Sequence, residues 1–155
     1  MERSEQTKVL LFRLQRRTYA LPLACVREVM RPLPVEPVAG APPGLCGVSI
    51  IRGRPTPVLD LAGVLGGNGP VQGGRVLVVD LGERSVALLV EAVSGVEDLP
   101  ADGLEGVPPL LQEAAGRAIR AMGSLDRELL LVLEAARLVP EEVWQHLRGE
   151  IRAST

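Results

Sequence analysis

Few side chains in this chain have the type and spacing that covalent or acid–base chemistry needs. The single histidine, His146, follows Trp144 near the C-terminus. No serine or cysteine nucleophile stands near it in a recognisable motif, so neither a His–Cys pair nor a Ser–His–Asp site is supported. Cys25 and Cys46 lack a CxxC spacing and a second pair, which argues against structural zinc. They read as small buried hydrophobes, and a disulfide is not expected in a reducing compartment. Gly66-Gly67-Asn68-Gly69 precedes a strand, and the only lysine, Lys8, lies far upstream of every glycine cluster, which excludes a phosphate-cradling loop. Asp60, Asp80 and Asp126 fall one per hairpin, an architectural placement. The expectation is no catalytic residue, no metal and no cofactor.

One charge pair does ask for an explanation. Arg52 sits within the apolar stretch from Gly47 to Leu61, and Glu28 sits between Val26 and Val29. A charge buried alone there would be costly, so each is the other's expected partner. Gly53 can take a positive φ at a hairpin tip, and Pro55 and Pro57 require an edge or an irregular strand entry.

These residues must be held by strands. Val9–Leu14 and Val76–Leu81 are both apolar runs, and the register between them continues through Arg17–Leu21 against Arg84–Leu88 and through Val26 and Val29 against Val93 and Val96. Each copy reads as a hairpin turning at Gln15-Arg16-Arg17 or Gly82-Glu83-Arg84. Val58-Leu59-Asp60-Leu61-Ala62 likewise resembles Val132-Leu133-Glu134-Ala135-Ala136. Such repetition predicts two small barrels of similar topology. The flexible segment Gly66 to Gly74 is the expected boundary: residues 9–68 mainly a first lobe, 69–139 mainly a second, within one domain spanning 1–155. Barrels this small have thin cores, so the lobes should pack together with a groove at the seam. A short helix is expected over 140–148, opened by Pro140 with Glu141 and Glu142 at its positive end.

Composition narrows the partners. Apolar residues make up 46% of the 155-residue chain, charged residues 23%, and the net charge is −2. Disorder is not expected, and the scattered arginines give no phosphate-tracking surface. Phe12, Tyr19 and Trp144 are the only aromatics, too few for a base-stacking barrel. The polar N-terminal stretch and the interrupted apolar run after it fit neither a signal peptide nor a membrane span, so the expected location is cytoplasmic.

Three segments resemble the CheW family, adaptors that join chemoreceptors to a histidine kinase in bacterial signalling: Val26-Arg27-Glu28-Val29, then Gly47-Val48-Ser49-Ile50-Ile51-Arg52-Gly53, then Pro57-Val58-Leu59-Asp60-Leu61. Val76–Leu81, Val86–Val96 and Met122-Gly123-Ser124-Leu125 extend the likeness, which runs from about Val9 to Leu147. The resemblance implies an all-β chain of two SH3-like five-stranded barrels, packed together, with a non-enzymatic coupling role. It also implies two partners, the helical cytoplasmic tip of a methyl-accepting receptor and the regulatory domain of a CheA-like kinase, with weak self-association through barrel edges as a further expectation. Carried over, Val26, Glu28, Val29, Gly47, Arg52 and Gly53 form or support the receptor groove. Ile50 replaces the family's usual Asn, and Ala121 replaces a common Gly. Ile50 is therefore a candidate kinase-interface or specificity position, and the alternative function is a diverged scaffold that binds receptors or itself without activating a kinase. Ile50 packed inside the lobe is the plainer expectation.

Overall fold

Hairpins organise the chain, and several close in two residues. The computed structural model describes residues 6–42, 44–65, 74–100, 119–125, 128–133, 139, 141 and 143–145. β1 (Gln6–Leu14) turns into β2 (Arg17–Pro22) through Gln15 and Arg16, both at positive φ. Such turns match the right-handed twist of the strands they join. A 3-10 turn, Leu23–Cys25, leads to β3 (Val26–Met30). β4 (Leu45–Ile51) and β5 (Arg54–Asp60) follow, then one helical turn, α1 (Leu61–Val64), whose N-cap Asp60 accepts from the Ala62 N–H at 3.2 Å. β6 (Arg75–Leu81), β7 (Arg84–Val90), β8 (Ala92–Pro100), β9 (Ile119–Leu125) and β10 (Glu128–Leu133) repeat the sequence of strands.

The strands form two five-stranded mixed sheets, ordered β8-β1-β2-β10-β9 and β3-β6-β7-β5-β4. The internal repeat is real down to its pairing. Val26 faces Val79 as Val93 faces Phe12, and Val58 lies beside Ala87 as Val132 lies beside Ala20. Even the bulges recur, between Val26 and Glu28 in one sheet and opposite Leu11/Phe12 in the other.

The lobes are nonetheless not the two halves of the chain. Each sheet takes a hairpin from one repeat and three strands from the other, so residues 9–68 and 69–139 do not form separate barrels. β3 follows β2 after only Leu23–Cys25 and lies on β6 of the other sheet, and β8, which only Glu91 separates from β7, crosses back to the place beside β1.

Among the described residues, the seam between the sheets holds a shared core. Along β1, Leu10, Phe12 and Leu14 face one large core cluster, while Val9 and Leu11 face a smaller one inside their own sheet. β6 repeats this, with Leu77 and Val79 in the shared cluster and Val76 and Val78 in the interior of the second sheet. The shared cluster draws on both sheets and on Val139 and Val143. Strands buried on both faces account for the continuous apolar runs that alternation alone would not produce. Phe12 and Tyr19, paired across β1 and β2, stack with centroids 5.9 Å apart. Of the expected C-terminal helix, Glu141 and Val143–Gln145 are helical, and the remaining positions, His146 among them, lie outside the described residues, as do Asp126 and Gly66–Gly73.

Candidate functional site

The second sheet ends in β3 on one side and β4 on the other, and these two edges come together. A bridge between Glu36 and Val48 ties the segment after β3 onto β4, with both backbone bonds at 2.9 Å. The Ser49 hydroxyl adds a bond to the Pro34 carbonyl at 2.6 Å. Gly47 makes this closure possible. It is buried at φ +150°, and a Cβ there would collide with the Glu36 carbonyl.

Beyond that closure, β4 runs out to the turn Arg52-Gly53, both at positive φ, which joins Ile51 to Arg54. The turn presents Arg52 to Glu28 on β3. Arg52 Nε donates to Glu28 Oε2 at 3.2 Å, and Nη2 donates to Oε1 at 2.8 Å, a two-pronged pair that fixes orientation as well as charge. The guanidinium holds the Glu28 carboxyl below its ordinary pKa, mainly through this hydrogen bond. Pro55 and Pro57 lie in the first part of β5, where β4 alone pairs with it; β7 joins only from Val58.

The expected pairing of Glu28 with Arg52 is present, but its setting is not the buried one anticipated. Arg52 is 73% exposed and Glu28 22%, with Glu28 on the edge strand β3 and Arg52 in the turn after β4. Their bond is a surface staple and not a core ion pair. Val26 is half-buried, whereas Val29 is 42% and Ile50 65% exposed. Ile50 does not pack inside the lobe, contrary to the plainer expectation: β4 alternates, and Ser49 and Ile51 take the inward positions. Cys25 and Cys46 are free thiols and only half-buried.

Sequence reasoning missed a second pair next to the first. Arg27 on β3 binds Asp80 on β6, with Nη2 2.7 Å from Oδ1 and Nε 3.2 Å from Oδ2, and the Ser85 hydroxyl also donates to Oδ1 at 2.7 Å. These bonds tie Asp80 to β3 and to β7, an architectural role. The signal was the neighbouring Arg27, whose partner could be chosen only once β3 was known to lie on β6. Arg84 stacks over Trp144, 4.7 Å from the ring centroid, docking the C-terminal helical residues on the β6–β7 turn. Among the described residues no group of three or more His, Cys, Asp or Glu could hold a metal ion.

The family model for the CheW-like domain matches residues 8–143. A chemotaxis protein CheW of Klebsiella aerogenes is 26% identical over 86% of this chain and 81% of its own length. Protein PilI of Pseudomonas aeruginosa is 34% identical over 64% of this chain, and the match spans 57% of that relative. Among solved structures, the scaffolding protein TtCheW of Thermoanaerobacter tengcongensis superposes with a TM-score of 0.78 at 22% identity, over 86% of this chain and 92% of its own, a likeness of fold.

Proposed function

We propose, from the premise that the chain belongs to the CheW-like domain family, that it is a cytoplasmic adaptor coupling a chemoreceptor tip to a CheA-like histidine kinase. Proteins of this family are scaffolds without enzymatic activity. The observation that carries the finer reading is the closed edge of the second sheet. There the two-pronged Glu28–Arg52 pair joins β3 to the turn after β4, next in the chain to the exposed apolar residue Val29 on β3 and two residues from Ile50 on β4. A helix with an apolar stripe and a carboxylate suits such a surface: apolar area supplies affinity, and a preset guanidinium supplies orientation. Glu28 engages Nε and Nη2 of Arg52, which leaves Nη1 for an acceptor on the partner. Val26 and Gly47 support the surface from beneath, and Gly53 shapes the turn that carries it. Among the described residues no helix is long and apolar enough to cross a membrane. Weak pairing of two copies through open sheet edges belongs to the same reading.

Exposure of Ile50 favours one further distinction. Where resemblance leads one to expect Asn, an exposed branched apolar side chain alters partner choice, which suits a scaffold that keeps its receptor and loses kinase activation. A pull-down of a receptor tip fragment and a kinase regulatory domain with wild-type, Arg52→Ala and Ile50→Asn proteins tests both. The coupling reading expects both partners on the wild type and selective loss of the receptor from Arg52→Ala. Failure of the kinase domain to bind the wild type, with binding gained by Ile50→Asn, would establish the diverged scaffold. Retention of the receptor by Arg52→Ala would remove the groove assignment.

A further inference from the structure

The inner face of the second sheet carries a pocket. It has a volume of about 220 Å³, opens to solvent on one side, and lies among Leu33, Val35, Cys46, Val58, Val76 and Leu89. Its volume exceeds that of an engineered cavity of about 150 Å³ that stays dry and takes up benzene or xenon. The polar groups on its wall are already spent or silent. Ser49 Oγ donates to the Pro34 carbonyl at 2.6 Å. Burial, reinforced by the nearby Asp60 charge, pushes the Cys46 thiol up, so it stays neutral and offers only a weak donor. The lining can therefore neither hydrogen-bond a polar ligand well nor neutralise a charged one, and desolvating either would be unfavourable. One wall is the segment Pro32–Val35, held to the sheet by the Glu36–Val48 bridge. Pro32 lines the cavity and is also exposed, so this wall borders solvent.

We propose that this barrel is a binding site for a small, neutral, apolar molecule, of the size of one aromatic ring bearing a short substituent. The site is separate from the Glu28–Arg52 surface, and its existence does not depend on the adaptor reading. Occupancy would restore the packing contacts that the cavity lining lacks and would hold the Pro32–Val35 wall against the sheet.

Cys46 serves as the reporter. In a Cys25→Ser protein it is the only thiol, and its modification by methyl methanethiosulfonate is followed with and without benzene. Bound benzene is expected to slow the reaction about tenfold at ten times the dissociation constant that the titration yields. Leu33→Trp, which fills the cavity from its solvent-side wall, should abolish that protection. Cys25 in a Cys46→Ala protein should react at an unchanged rate. Absence of protection, or equal slowing at both cysteines, overturns the site. Should Leu33→Trp fail to fold, xenon-pressurised wild-type crystals decide the matter: density between Val58 and Val76 supports the site, and an empty interior overturns it.

Discussion

Glu28 and Arg52 behave as one unit. Because the folded chain holds the Glu28 carboxyl below its ordinary value, the pair's contribution to stability is complete above the unfolded-state pKa. It is lost as pH falls through the lower folded value. A carboxyl-resolved NMR titration should give a depressed midpoint for Glu28 in the wild type and a return towards the ordinary value in Arg52→Ala. The two glycines of this region should differ. Gly47→Ala meets the Glu36 carbonyl and a positive φ together, and should cost about 2–4 kcal/mol in urea unfolding. Gly53→Ala has open space around its added methyl and only the φ to resist it, so about 1 kcal/mol is expected. At this scale the sequence was informative about partners: opposite charges in two apolar runs found each other. It was uninformative about exposure, since whether Ile50 or Arg52 is covered depends on which strand ends lie beyond it.

At the scale of elements, the hairpins could be read directly from apolar runs and short polar turns, and so could the repeat. Which copy a strand would pair with could not be read. Periodicity reports that two segments are alike, whereas a strand's partner is set by contacts between segments distant in the chain, which a local pattern does not carry. The inter-sheet packing has a measurable signature. Leu21 in the first sheet and Leu88 in the second are both fully buried in the cluster shared between them. Truncating either to Ala should destabilise the chain by about 2–5 kcal/mol. Because the core is common, each variant should still unfold in a single transition, with near-ultraviolet signals from Tyr19 and Trp144 melting together. Two separated transitions would mean that the sheets are independent cores.

For the whole molecule, the exchange of strands makes each half of the chain incomplete. A fragment of residues 1–68 has a hairpin for one sheet and three strands for the other, and a fragment of residues 69–155 has the complement. Expressed separately, each should be largely unfolded by far-ultraviolet circular dichroism, and an equimolar mixture should regain the strand spectrum. Independent folding of either fragment would contradict the observed order of strands. The glycine-rich segment expected as the boundary lies at Gly66–Gly73, outside the described residues, and the strands on either side of it are shared between both sheets.

The recurring bulges and pairings mean that the fold is close to a two-fold object written on one continuous thread. A symmetric pair of identical chains would be obliged to show the same face twice. A single chain is released from that obligation. The positions that repeat Glu28 and Arg52 are Gly95 and Asp126, so the acid–base staple exists in one copy and its components are absent from the other. The two ends of the molecule therefore present different surfaces, although the strands behind them pair alike.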